Sequence, residues 1–389
     1  MIYLDHAATT PLDPRVLAAM EPFLRPGATA PHGNAASEHL AGRAARAAVE
    51  RARGQVAAAI GADAAEIVWT SGATESDNLA IKGALDFYRS RGRHVITALT
   101  EHKAVVDTCR DLETRGVRVT WLRPGADGRV APQQVLEALA PDTLLVSLMW
   151  VNNETGAIQD IEALAPALRE RAVLLHVDAA QAMGRVAIDL RRVPADLLSL
   201  SAHKAHGPQG IGALFVRKQP RARLAPLLHG GGHEQGMRSG TLPVHQIAGM
   251  GEAFALAAAE GPADTVRAAV LRDAMWGALG ALDRIHLNAA AAPRVPQILN
   301  VSFEGVDGES LRASLPDVAV SSGAACSAAT REPSYVLRAL GRSDELADAS
   351  LRFSFGRFTS QAEVEAAAQQ VVAAVRRLRG LSPLWRDAA

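Results

Sequence analysis

Cysteine is nearly missing from this chain. Cys109 and Cys326 are the only two in 389 residues, which excludes a disulfide framework and leads us to expect a reducing, cytoplasmic setting. Net charge is missing too. Lys+Arg and Asp+Glu both number 41, so nothing favours a nucleic acid or another polyanion as partner. Long apolar runs are lacking. The longest, around Leu144 to Val151, is interrupted by Ser147 and is far too short to cross a bilayer. The N-terminus shows neither a basic-then-apolar signal region nor an Arg-rich presequence. There is no internal repeat, and no low-complexity linker beyond a bias to alanine.

What is present is an ordinary soluble composition, 48% hydrophobic and 21% charged. At about 100 to 200 residues per domain, the length suggests a large domain with a smaller one. Ser37 precedes an Ala/Arg-rich stretch of helical period that runs to Ile60, and Gly61 follows where a helix would end. From Glu66 onward, apolar runs alternate with helical stretches: Ile67–Trp69, Val95–Leu99, Val117–Trp121, Leu144–Trp150, Val173–Val177, Asp196–Leu200 and Ala213–Val216. The helix after Thr74 is expected to reach about Arg91. Such alternation predicts βαβ units, and the near-continuous apolar character predicts strands covered on both faces of a mostly parallel sheet. Ligands of such sheets lie beyond the carboxyl ends of the strands. A helix is expected from about Pro243 to Ala259. Beyond it, antiparallel-type strands at Ile298–Phe303, Val318–Ser321 and Ser350–Phe355 suggest a smaller α+β unit joined by the N-terminal segment. The boundaries expected are 14–257 for the large domain, and 1–13 with 258–389 for the small one.

Chemistry-bearing residues cluster at the expected strand ends. Lys204 follows the Asp196–Leu200 run at a tight turn, between His203 and His206. A lysine amine with a lowered pKa forms Schiff bases with carbonyls, although a loop lysine is usually just solvated. Ser71-Gly72-Ala73-Thr74 joins a strand to a helix, and backbone N–H groups there suit an anion; small turns before helices are also common for no such reason. Asp178 ends a strand that is apolar but for His176, where a carboxylate needs a positive partner such as a protonated pyridine nitrogen. Capping of the next turn would account for it too. His102 opens a helix and reads either as an N-terminal helix residue or as a ring stacked on a planar group. Asn153 lies in a polar cluster that a turn explains equally well. Arg352, alternating with apolar residues, should be paired or should point into a cleft. Cys109 sits at helical spacing and reads as core. Cys326 sits among small polar residues, 321–330, a setting that suits an exposed nucleophile better than a structural thiol.

Taken together, the chain resembles the cysteine desulfurases of the IscS/NifS type, in the class-V aminotransferase family. The resemblance runs nearly end to end: Tyr3–Pro11, Thr70–Leu79, Thr100–Ala104, Val151–Glu154, His176–Asp178, His203–Lys204, Gly230–Glu234, Met237–Gln246, Ser321–Gly323, Glu332–Gly341 and Ser350–Phe353. The Ser-Ser-Gly-x-Ala-Cys form is similar to that of the first of the two desulfurase groups. The resemblance implies a homodimeric fold-type I pyridoxal 5'-phosphate enzyme, with a seven-stranded type of sheet in its large domain. It would convert L-cysteine to L-alanine and deliver persulfide sulfur to an IscU-like iron–sulfur scaffold and other acceptors, tRNA thiolation among them. Selenocysteine lyase or a related aminotransferase is the alternative.

Carried over by position, Lys204 holds the cofactor as a Schiff base, His102 stacks on its ring, Asp178 faces the ring nitrogen and Gln181 the ring oxygen. Ala73, Thr74, Ser201 and His203 hold the phosphate, with Thr241 reaching in from the other subunit. Asn153 and Arg352 orient the substrate, Arg352 at its carboxylate, with Asn34 beside it. Cys326 attacks the substrate sulfur. No resident metal is implied, beyond Cys326 as a transient iron–sulfur ligand shared with a scaffold. Ala202 and Gln209 stand where the family often has glycine and lysine. The chain stops at Ala389, where related enzymes carry a longer tail that helps dock the scaffold, so weaker docking or another docking surface is the expectation.

Overall fold

The computed structural model describes residues 1–26, 31–322, 332–382 and 385. Cys326 therefore lies outside the described residues. The strands are β1 (Ile2–Tyr3), β2 (Ile67–Thr70), β3 (His94–Ala98), β4 (Arg118–Leu122), β5 (Thr143–Met149), β6 (Leu174–Asp178), β7 (Leu197–Ser201), β8 (Gly212–Val216), β9 (Ile285–Leu287), β10 (Ile298–Phe303), β11 (Val318–Ala319) and β12 (Ser350–Ser354). The helices are α1 (Pro14–Met20), α2 (Leu40–Ile60), α3 (Ala73–Phe87), α4 (Lys103–Thr114), α5 (Pro132–Glu137), α6 (Ile161–Glu170), α7 (Val244–Leu279), α8 (Gly308–Ala313), α9 (Tyr335–Ala339), α10 (Asp344–Asp348) and α11 (Gln361–Leu381).

Strands β2 to β8 form a seven-stranded sheet in the order β2-β8-β7-β6-β5-β3-β4. Pairing is parallel from β7 to β4, and β8 runs antiparallel to both β7 and β2. The apolar strands are covered on both faces by separate groups of buried side chains, which is why their sequences do not alternate. Because β8 reverses, β2 points the same way as β7. Gly212 pairs with Thr70 on one side and Ser201 on the other. The turn after β2 and the turn after β7 thus come to the same edge.

A second buried group surrounds the three-stranded antiparallel sheet β12-β10-β9, packed by α8, α11 and the end of α7. The segment Val318–Ser321 does not behave as one antiparallel strand. Val318–Ala319 pairs parallel with β1, and only Ser321 bridges antiparallel to Arg352. The chain start runs alongside Val318–Ala319 and takes up its hydrogen bonds.

The helix expected to close near Ala259 continues to Leu279 through Pro262. Proline removes one i→i−4 bond and costs roughly 3 kcal/mol in a helix interior. Anchoring at both ends outweighs that cost: Ile247, Met250 and Phe254 are buried in the large-sheet core, Leu271, Met275 and Leu279 in the other. Helix α2 begins at Leu40 rather than directly after Ser37, because His39 Nδ1 caps the Gly42 N–H. It ends as expected at Gly61, whose φ of 68° is the left-handed value a helix stop uses.

Gly212 is a tight joint between the sheet and the strand-end turns. A Cβ there would lie 2.5 Å from the Leu200 carbonyl oxygen and 2.6 Å from Gly72 Cα. Both are backbone atoms that cannot swing away. Gly212→Ala should therefore destabilise the chain by about 1–3 kcal/mol, seen as a lower thermal midpoint by circular dichroism. An unchanged midpoint would show that the two turns are not held this closely.

Candidate functional site

At the carboxyl ends of β2, β5, β6 and β7 lies a cavity of about 580 Å³. Its lining brings together most of the residues singled out from the sequence: Ala73, Thr74, His102, Asn153, Asp178, Gln181, Ser201, His203, Lys204 and Arg352. Asn34 and Thr241 do not line it. Asn34 is exposed and its Oδ1 accepts from the Ala36 N–H at 2.9 Å, and Thr241 is exposed in the loop ahead of α7.

One wall is the Ser71–Thr74 turn leading into α3. Gly72, with φ at 154°, opens the helix, and a Cβ there would meet nothing within 4 Å. The first N–H groups of a helix have no partner within it, so those of α3 face the cavity as anion donors. Glu75, in the first turn, would oppose an anion, but Arg238 holds its carboxylate at 2.9 Å. Glu75 also accepts from the Ser71 N–H at 2.7 Å, bracing the turn. His203, on the far side of Gly212, bonds Thr9 Oγ1 at 3.1 Å. Burial first, then the neighbouring Lys204 charge, pushes its pKa down to about 4, so the ring is neutral.

The floor is Asp178 at the end of β6. It is 5% exposed, and its Oδ1 accepts from the Ala180 N–H at 2.9 Å. No salt bridge reaches it among the described residues. Burial, and behind it the like charge of Asp77, raise its pKa, against the opposing pull of His102. Asp77 is itself buried, with both carboxylate oxygens lacking a hydrogen-bond partner among the described residues. It lies 3.5 Å from His176 Nε2. The cavity end of β6 therefore wants a cation.

Lys204 Nζ donates to the Ala7 and Ala8 carbonyls at 2.7 and 2.6 Å. Gln181 Nε2 donates to the same Ala7 carbonyl at 2.8 Å. His102 caps α4, its Nδ1 accepting from the Ala104 N–H at 3.1 Å. Arg352, 2% exposed, is both paired and aimed into the cleft. Its guanidinium donates to Asp5 Oδ1 at 2.7 Å and to the Asn153 carbonyl at 2.9 Å, and its Nε is buried without a partner among the described residues. The Asn153 Oδ1 is likewise unpartnered there. Cys109 is buried in α4, with burial pushing its thiol up to about 12.

Four cavity or near-cavity residues were not singled out from the sequence. Tyr335 reaches back to the Glu101 carbonyl at 2.6 Å. Glu101 is wholly buried, with burial raising its pKa well above the carboxylate range. Glu154 is buried in the cavity wall, and burial raises it to about 7, opposed by the Ser334 hydroxyl, Arg352 and His102. Asp77 stands behind Asp178. Asp77, Glu101 and Glu154 sit among other polar residues in the sequence, so nothing local singles them out; what they face is set by distant segments.

Residues 2–367 match the aminotransferase class-V family. A protein called cysteine desulfurase IscS in Pseudomonas putida (strain W619) is 58% identical over 385 residues, covering 99% of this chain and 95% of that one. Among solved structures, a NifS-like protein superposes with a TM-score of 0.88 at 33% identity, covering 97% of this chain and 100% of the other. SspA in complex with cysteine does so at 0.82 and 36% identity, covering 92% and 100%.

Glu154 supplies a pH signature. Its pKa is raised from 4.5 to about 7 on folding, so the folded chain holds the proton more tightly. That stabilisation is complete below about pH 4.5 and is lost as pH rises through about 7. At about 1.4 kcal/mol per pH unit the loss amounts to about 3 kcal/mol. Native protein should lose stability relative to Glu154→Gln across that window, read as urea midpoints from pH 4.5 to 7.5. Parallel profiles for the two proteins would refute it.

Proposed function

The chain belongs to the aminotransferase class-V family, among its cysteine desulfurases, and from that premise we propose that it takes sulfur from L-cysteine as a persulfide on Cys326, releases L-alanine, and passes the sulfur to acceptor proteins. The observation that carries the reading is the buried, cation-seeking Asp178 facing one cavity with Lys204, the N-terminus of α3 and Arg352.

The lining fits pyridoxal 5'-phosphate. Asp178 lacks a salt-bridge partner among the described residues, which suits a protonated ring nitrogen. The open Gly72 turn and the α3 N–H groups suit a phosphate. When bound, the cofactor supplies an electron sink for charge developing at the substrate α-carbon. Ala73, Thr74, Ser201 and the neutral His203 would hold the phosphate, Gln181 the ring oxygen, and His102 the ring face.

The chain's own groups do the rest. Lys204 Nζ would be the covalent anchor, and once the substrate amine takes its place the freed Lys204 amine moves the α-proton. Arg352 binds the substrate carboxylate, and Asn153 orients the substrate beside it. Cys326 Sγ forms a bond to the substrate sulfur as the substrate Cβ–S bond breaks. The electron pair stays with the carbon skeleton, which takes up a proton at Cβ and leaves as L-alanine.

We extend the reading to a homodimer, with Thr241 contributed to the partner's phosphate site, to an IscU-like scaffold as one acceptor, and to a cytoplasmic setting. Among the described residues no helix is long and apolar enough to cross a membrane. The division into 14–257 and the combined 1–13 and 258–389 is supported by the two separately buried sheets.

Lys204→Ala should lose the cofactor's covalent absorbance and at least about 10²-fold in alanine release. Normal turnover in that variant would sink the assignment. Cys326→Ser should keep the cofactor and still respond to L-cysteine in its absorbance, yet show no persulfide by mass spectrometry, because a hydroxyl is a far poorer nucleophile than a thiolate. A persulfide found on Cys109 instead would overturn the role given to Cys326.

A further inference from the structure

We propose that Glu154, acting through the Ser334 hydroxyl, is a positioning residue for sulfur transfer: it clamps the start of α9, which follows Cys326 closely in the sequence, against the wall of the substrate cavity. The proposal rests on the reading that Cys326 accepts the sulfur.

Glu154 and Ser334 are each 2% exposed. Ser334 is the N-cap of α9. Its Oγ accepts from the Leu337 N–H at 3.1 Å and donates to Glu154 Oε2 at 2.5 Å. Both functions of the hydroxyl are thus used, one to start the helix and one to dock it. The docking point is itself fixed. The Glu154 N–H donates to Asn152 Oδ1 at 3.0 Å, and its carbonyl accepts from Asn300 Nδ2 at 3.1 Å. The neighbouring residue repeats the clamp: Tyr335 Oη donates to the Glu101 carbonyl at 2.6 Å, from a ring that lines the same cavity. Val336 and Leu337 then bury themselves in the fold.

A carboxylate is an expensive choice for this task. It is buried, and neither Arg352 nor His102 forms a salt bridge with it among the described residues. A glutamine would accept the same hydroxyl proton without the desolvation cost. Once ionised, above the value of about 7 to which burial raises it, the carboxylate adds a charge-assisted bond, shorter and about twice as strong as a neutral one. Sulfur transfer has a use for that strength. The attacking sulfur must come within about 3–3.5 Å of the substrate sulfur with its orbital aligned, and small misplacements cost large factors in rate. Cofactor and substrate are held by other elements, so loosening this clamp should slow transfer while leaving binding alone.

The test uses the holoenzyme mixed rapidly with L-cysteine, with two readouts: the change in cofactor absorbance, which reports substrate binding, and the mass of the Cys326 persulfide, which reports transfer. Ser334→Ala should keep the absorbance change and form persulfide about tenfold more slowly. Ser334→Thr, which retains the hydroxyl cap, should recover most of that loss. Glu154→Gln, which keeps an acceptor but not the charge, should lose about threefold. Thermal midpoints accompany each variant, so that a variant with a collapsed fold is recognised and the remaining two decide. Native transfer rates in folded Ser334→Ala or Glu154→Gln, equal losses in Ser334→Ala and Ser334→Thr, or a matching loss of the absorbance change would overturn the inference. Absence of any Cys326 persulfide in the native enzyme would instead overturn the reading on which it rests.

Discussion

A carboxylate at the end of a buried strand, with no cation bonded to it among the described residues, is the constraint around which the site is organised. Asp178 is desolvated by the strands on either side and pressed by Asp77 from behind. Its other neighbours are spent on holding the arrangement rather than neutralising it. His176 is fastened between Ser147 and Ser199 at 2.8 and 2.9 Å, with Asp77 3.5 Å away. Such a group is stable only if it titrates or acquires a positive partner. The proposed ring nitrogen meets that demand from the cavity side, and binding there would contribute to folding stability as well as to chemistry.

The residues that close the cavity are joined through the start of the chain. Asp5 takes Arg352, Ala7 takes both Gln181 and Lys204, and Thr10 donates to the His203 carbonyl at 2.8 Å. The Ala7 N–H in turn donates to Ser354 Oγ at 2.8 Å. Residues 5–10 therefore tie the turn after β7 to strand β12 of the other sheet. Arg352 is presented to the cavity by one sheet and Lys204 by the other, and this short segment sets the distance between them. Helix α7 does the same work on the opposite flank, running from one core into the other across Pro262.

Much of this could be read in advance where the signal is local. The apolar runs became strands within a residue or two of their expected ends, because continuous β-branched and aliphatic stretches bounded by turns permit little else. Gly61 stopped its helix as a left-handed cap. Lys204 and Asp178 sit at strand ends where a lysine and an aspartate are conspicuous against their neighbours. Two of the misses share a cause. The reading of Val318–Ser321 as antiparallel failed because its partner is the chain terminus, some three hundred residues away. The helix stop near Ala259 failed because two distant cores hold α7 straight through a proline that local propensity would treat as a break.

Composition, period and turn residues by themselves determined an α/β chain with a mostly parallel sheet and a polar edge at the strand ends, and marked Lys204, Asp178 and Arg352 as candidates beside the plainer readings of a solvated lysine, a turn cap and an ion pair. Tertiary structure alone decided which of those polar groups share a cavity. The reversal of β8 brings the Ser71–Thr74 turn beside Ser201, Asp77 stands behind Asp178, Asp5 sits on Arg352, and Glu154 meets Ser334. Periodicity reports which face of an element is buried; it carries no information on which strand lies next to which, or on the register between them. Each of those encounters depends on sheet order and on contacts between segments far apart in the chain.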